Sequence, residues 1–222
     1  MLRGLQASAA GSDRQLVWTF SLLEVARSPQ ARELLAWLLD GTHEIPGLTI
    51  DRDRRWELVV ALARAGAPSA RERIARELEQ DPTDTGRKQA IAAEASLPSA
   101  AIKGLWRERI TAEPGPDALP DAQLREAMQT YHRLGQEELS EAAVDWYFET
   151  LPRFAATRDE DLVDSFSGSM FPALCDERIV RRVDALLAAG TPLPPAAQKN
   201  LRVARQEEQR CLRARRLAAG GD

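Results

Sequence analysis

Two histidines, His43 and His132, are all that the sequence offers for imidazole chemistry. His43-Glu44 begins like the zinc pattern H-E-x-x-H, in which two imidazoles one helical turn apart hold the metal and the glutamate activates water. The pattern stops there, because Pro46 and Gly47 turn the chain where a helix should continue, and the fourth residue after His43 is Gly47. His132 follows Tyr131 on an expected helix with no partner group that the sequence can place beside it, so a packed or exposed histidine is expected, not a general base. The run Ser165-Phe166-Ser167-Gly168-Ser169 lacks both the G-x-S-x-G spacing and a preceding strand, and it reads as a flexible loop. Gly135 and Gly190 read as helix ends, not as parts of a phosphate loop. Cys175 and Cys211 are far apart and form no Cys-x-x-Cys pair. Their ordinary reading is two small buried hydrophobes, with a disulfide or reactive thiol as the alternative. No catalytic, cofactor-binding or metal-binding residue is assigned within the chain.

Two further groups could bind without doing chemistry. Trp18, Trp37, Trp56, Trp106 and Trp146 lie on expected helices among aliphatic residues, where core packing is the plain reading and an aromatic groove the sharper one. Lys199, Arg202, Arg205, Arg210, Arg213, Arg215 and Arg216 make the end of the chain basic, interrupted by Glu207 and Glu208. A solvated helix end favoured by the macrodipole explains them, and docking of an acidic partner or a substrate carboxylate is the alternative.

Composition sets the limits. With 222 residues, 44% hydrophobic and 29% charged, the chain can bury a sizeable core and reads as a folded soluble protein. A net charge of -4 argues against wholesale nucleic-acid binding. No apolar run approaches the roughly 20 residues that span a bilayer, and the N-terminus lacks a signal peptide's apolar core, so no membrane partner and a cytoplasmic location are expected.

The elements that must position these residues are all helical. Proline recurs at roughly single-helix intervals, at Pro29, Pro68, Pro82 and Pro98, and no run shows period-two alternation at strand length. Ile45-Pro46-Gly47-Leu48 reads as a tight turn into a helix that Asp51 caps, Trp56, Val59, Val60 and Ala63 anchor, and Gly66 ends. Before it, Leu16, Phe20, Leu23 and Ala26 suggest a widely covered helix over 13–27, and Ser28-Pro29 opens a second one with Ala31, Leu34, Leu35 and Leu38 inward. After it, Ile74 and Leu78 should face inward from a helix whose arginines and glutamates face water. Ile102, Leu105, Trp106 and Ile110 mark a later helix; Leu139, Ala142, Ala143 and Trp146 mark another, which Leu151-Pro152 should close. About ten helices and no sheet follow, best arranged as an array of antiparallel helix pairs of HEAT or armadillo character, an α-α superhelix. Residues 1–12 read as an N-terminal lead-in resembling the trailing part of a preceding helical segment. Residues 13–218 read as one helical-repeat domain with a possible internal break near 113–119, and 219–222 as a frayed tail.

The Ile45–Gly66 run, with its Pro-Gly-Leu turn, Asp51 and Arg55-Trp56, resembles a stretch in the C-terminal helical domain of aminopeptidase N-type zinc metallopeptidases, particularly those of actinobacterial type. Gly11 to Leu16, Asp81 to Gly86, Gln136-Glu137-Glu138-Leu139, Trp146-Tyr147-Phe148 and Leu151-Pro152 extend the resemblance in similar order. The resemblance implies a noncatalytic domain that caps an active-site chamber and restricts peptide access. Its implied partners are the catalytic domain of the same polypeptide and peptide substrates, with zinc held in that missing catalytic domain. The family's Gly-Ala-Met-Glu-Asn motif is absent here, as is H-E-x-x-H, and substrate-facing residues stay unassigned. The alternatives are a free-standing helical-repeat scaffold for a protein partner and, on the basic C-terminal run alone, a nucleic-acid-binding repeat protein.

Overall fold

A computed structural model of the chain describes residues 2–116 and 118–220. Met1, Gly221, Asp222 and Asp117 lie outside them, and with them part of the expected tail at 219–222 and one residue of the expected break at 113–119. The described residues form 13 helices and no strand, the expected all-α class. The chain divides into two compact units, 1–103 and 104–222, and the division falls inside the helix Ala100–Thr111.

The first unit holds α1 (Leu2–Gln6), α2 (Asp13–Val25), α3 (Pro29–Asp40), α4 (Arg52–Arg64), α5 (Ala70–Gln80), α6 (Asp84–Ala95) and the start of α7 (Ala100–Thr111). Side-chain caps start four of them. Ser12, Ser28, Asp51 and Thr83 accept from the amides of Gln15, Ala31, Arg54 and Gly86, satisfying donors that no helical carbonyl reaches. α4 is the centre of the unit: it packs against α2, α3, α5 and α6 and buries Trp56, Leu58, Val59 and Leu62. The indole N–H of Trp56 donates to buried Asp81 at 3.0 Å, and the Thr83 hydroxyl donates to the other Asp81 oxygen at 2.6 Å. A Cβ on Gly86 would lie 2.0 Å from the Asp81 carbonyl, so the Asp81–Gly86 run is a junction that clamps the α4 tryptophan and caps α6.

Two inward faces differ from expectation in this unit. α2 buries Gln15, Thr19, Leu22 and Leu23 and leaves Leu16, Val17 and Phe20 exposed, because its buried stripe follows the polar residues that bond backbone. On α5, Glu77 is buried although glutamates there were expected in water, and Ile74 and Leu78 are only half-buried. The compensation is charge: Arg55 grips Glu77 with two bonds, 2.8 and 2.7 Å, which removes the penalty of an isolated buried carboxylate.

The second unit holds the rest of α7, then α8 (Asp121–Tyr131), α9 (Glu137–Glu141), α10 (Val144–Thr157), α11 (Glu160–Ser169), α12 (Glu177–Ala188) and α13 (Pro195–Ala219). Trp106 and Ile110 of α7 are buried as expected, while Leu105 is exposed. The helix expected through Leu139 and Trp146 is two, because the chain tightens into a turn at Ala142 and Ala143. Leu151-Pro152 does not close α10. The helix runs through Pro152 to Thr157, at a cost of about 3 kcal/mol for a helix-interior proline. Burial of Leu151 and Phe154, worth roughly 1.5–3 kcal/mol each, offsets it. Phe154 stacks on Phe166 at 4.5 Å, and Tyr147 and Phe171 complete the cluster.

Candidate functional site

A groove of the first unit, about 760 Å³, is built by the turn that leads into α4, with Leu38, Asp40, His43, Pro46, Thr49 and Arg55 among its walls. The turn forms because Pro46 and Gly47, at φ 80°, close Ile45 onto Leu48 with a 3.0 Å backbone bond. One buried side chain fixes it from across the unit. Gln15 of α2 accepts from the Gly11 amide and donates to the Pro46 carbonyl, each at 2.8 Å. A Cβ on Gly47 would stand 2.2 Å from the Gly11 nitrogen, so the two turns touch backbone to backbone. The Gly11–Leu16 and Ile45–Gly66 runs, separate in the sequence, are two sides of this one contact.

The floor of the groove is ionic and already paired. Besides gripping Glu77, Arg55 donates to the Leu39 carbonyl at 3.0 Å, and Arg73 holds Asp40 through two bonds, 2.7 and 2.8 Å. The hydrogen bonds from Arg73 keep the Asp40 carboxyl below its ordinary pKa. Asp81 is shifted in the same direction, first by Thr83 and then by Trp56. Both carboxylates are therefore held ionised, Asp40 by the Arg73 cation and Asp81 by a neutral hydroxyl and indole, without the raised pKa that a general acid at neutral pH needs.

His43 sits beside Trp37, ring centroids 6.4 Å apart, and its amide donates to the Trp37 carbonyl, which makes it part of the α3 terminus. His132 has the partners that the sequence could not place. Nε2 is 3.0 Å from the Met170 carbonyl and Nδ1 2.8 Å from the Ser140 hydroxyl. A carbonyl only accepts, so Nε2 carries the proton and, in the neutral ring, Nδ1 accepts from Ser140. A serine on a histidine resembles a nucleophile and its base, but Ser140 is 7% exposed, leaving a substrate no approach. With both ring nitrogens of His132 engaged and His43 followed by a turn, these histidines do not fit a zinc site. No group of three or more histidine, cysteine, aspartate or glutamate side chains that could hold a metal occurs among the described residues.

The Ser165–Ser169 run is helix, not loop. Ser167 is buried, donates to the Asp164 carbonyl at 3.0 Å and accepts from Asn200 at 3.0 Å, while its carbonyl accepts from the Tyr147 hydroxyl at 2.7 Å. Gly168 lets α13 approach, since a Cβ there would lie 3.3 Å from Asn200. Burial pushes the Tyr147 hydroxyl up, and it pushes Tyr131 up to about 12.

The cysteines overturn their ordinary reading: Cys175 and Cys211 are joined in a disulfide. Sequence separation hid this, because the two cysteines lie 36 positions apart while α13 packs along both α11 and α12 and brings the two Cα atoms to 5.5 Å. The tryptophans divide. Trp56 and Trp106 are core, Trp18 covers Gly4 closely, and Trp37 is 44% exposed. The basic run is no continuous patch. Arg205 pairs with Asp184, Arg210 with Glu207, Arg202 bonds Gln198 and Arg215 the Cys175 carbonyl; Lys199, Arg213 and Arg216 make no ion pair among the described residues.

With its charged side chains already paired, the groove can position and bind by shape and charge. No helix is long and apolar enough to cross a membrane among the described residues. Against known proteins, residues 6–210 match the ERAP1-like C-terminal domain family. Aminopeptidase N from Streptomyces lividans is 34% identical over 215 residues, which cover 96% of this chain and 24% of that protein. The chain thus spans about a quarter of the length of the curated relative it matches.

Proposed function

Since the chain belongs to the ERAP1-like C-terminal domain family, we propose that it is the noncatalytic helical domain of an aminopeptidase N-like enzyme, capping the active-site chamber and restricting peptide access. The observation that carries the reading is the near-complete coverage of this chain by a match to a limited part of an aminopeptidase N. In this reading the zinc and the peptide-bond chemistry belong to the catalytic part of the same polypeptide, and the partners of this chain are that part and the peptide itself. The paired floor of the α4 groove supports a positional role: Arg55 and Arg73 are held by Glu77 and Asp40, so a wall of fixed shape is maintained without a reactive group. Cytoplasmic residence, with neither nucleic acid nor membrane as partner, completes the proposal.

The test removes the domain from the full-length parent and compares kcat/KM on a dipeptide-sized aminoacyl substrate with that on a long unfolded chain. A cap that restricts access predicts that the ratio of long to short turnover rises on removal. An unchanged ratio with both activities intact sinks the role.

A further inference from the structure

We infer that Cys175 and Cys211 are a reversible thiol–disulfide couple that tethers the last turns of α13 to the connection between α11 and α12. The inference stands on the second unit alone and does not depend on the peptidase reading.

Three side chains of α13, Glu208, Cys211 and Arg215, recur at one-turn intervals and all reach the same short stretch of chain. Buried Glu208 accepts from the Leu174 amide at 3.0 Å and from the Asp176 amide at 2.8 Å, so it grips the backbone on either side of Cys175. Arg215 donates to the Cys175 carbonyl at 3.3 Å. Cys175 itself adopts φ 58°, an uncommon conformation for a residue with a side chain, held by these contacts. The backbone around Cys175 is therefore fixed by bonds that do not involve sulfur. Reducing the disulfide leaves the two sulfurs within reach of each other, which is what a reversible couple requires.

Anchorage along α13 is uneven. Ala197, Leu201 and Glu208 are buried, whereas every residue from Arg213 to Gly220 is exposed. Past Glu208 the covalent and hydrogen-bonded links to the α11–α12 connection among the described residues are the disulfide and Arg215, so opening the disulfide loosens the end of the helix and leaves its first half packed.

The chemistry balances with a dithiol reductant. Cys211 is half-buried and Cys175 is buried, so the incoming thiolate attacks Sγ of Cys211. The S–S bond breaks, and Cys175 leaves as a thiolate that takes a proton from water. The second thiol of the reductant, as its thiolate, then attacks its own sulfur in the mixed disulfide and releases the Cys211 thiolate, which is protonated in turn. Two electrons have passed to the protein, and the reductant ends as a disulfide. Arg215 stays on the Cys175 carbonyl and Glu208 on the flanking amides, so the freed Cys175 keeps its backbone position. In a compartment whose thiols are kept reduced, such a pair reports oxidation instead of building the fold.

The experiment uses the full chain under native conditions, with dithiothreitol as reductant, iodoacetamide as the thiol probe read by intact mass, and hydrogen exchange read by segment. The oxidised chain should take up no label. After reduction it should take up two, and removing dithiothreitol and adding its oxidised form before labelling should restore the unlabelled state. Exchange in 212–219 should accelerate by about tenfold on reduction, while 195–206 changes less than about twofold. Cys211→Ser and Cys175→Ala should each show the faster exchange whether or not dithiothreitol is present. Labelling without reductant, loss of the helical signal on reduction, failure to re-form the disulfide, or unchanged exchange in 212–219 would each overturn the inference.

Discussion

Replacing Gln15 by Ala tests whether the contact between the Gly11 and Gly47 turns is a structural keystone. The side chain is 2% exposed and makes two bonds of 2.8 Å, one from the Gly11 amide and one to the Pro46 carbonyl 31 positions on. Two hydrogen bonds at about 1 kcal/mol each, with the burial of the one methylene that alanine lacks at about 0.8 kcal/mol, give an expected loss of about 3 kcal/mol. Gln15→Glu separates the contributions, since it keeps the stem and the acceptor for the Gly11 amide but loses the donor to the Pro46 carbonyl. Protonating the new carboxyl restores a donor, so its folded pKa is raised, and the stability it contributes is lost as pH rises. The deficit relative to the unmodified chain should therefore narrow between about pH 8 and about pH 5. Urea titration read by segment-resolved hydrogen exchange follows residues 1–103 apart from 104–222. A loss under about 1 kcal/mol for the alanine variant, or a glutamate deficit indifferent to pH, would refute the keystone reading.

Other expectations concern charge and burial. Glu77→Gln leaves the partly exposed Arg55 guanidinium without its carboxylate and should destabilise the first unit by about 1–3 kcal/mol in urea, the discount reflecting solvent around Arg55. Asp40, Asp81 and Asp176 all have depressed carboxyl pKa values, through Arg73, Thr83 and Arg178 respectively. Stability from them is present above their unfolded pKa near 3.9 and is lost as pH falls through the folded values, so an acid titration should show it declining below about pH 4. Burial raises Tyr131 to about 12, so it favours the folded state below about pH 10 and loses that contribution as pH rises through 12; ultraviolet titration should find both tyrosines ionising late, and Tyr131→Phe should remove the earlier of the two.

Local chemistry was legible in the sequence and distant pairing was not. Asp51, Ser28 with Pro29, and Gly66 act as read, because a cap or a left-handed glycine needs only its own neighbours. Gln15 carries no periodic signal: a polar residue on an apolar stretch reads as solvent-facing until the Pro46 carbonyl is seen across from it. The same holds for Glu77 with Arg55, and for Cys175 with Cys211, whose partners lie 22 and 36 residues away. Pro152 misled for the opposite reason. The local rule that proline ends a helix was overridden by the burial of Leu151 and Phe154 around it. The absence of a zinc motif was plain from composition, whereas the engagement of His132 by Ser140 and Met170 needed coordinates.

The most direct test of the central claim, that this chain contributes shape and no chemistry, is the metal content and aminopeptidase turnover of the purified chain beside those of its full-length parent. The account predicts zinc and turnover in the parent, and in the chain alone neither bound zinc nor hydrolysis above the buffer rate. Zinc bound one-to-one by the isolated chain, or turnover that co-purifies with it and is abolished by a chelator, would contradict the account.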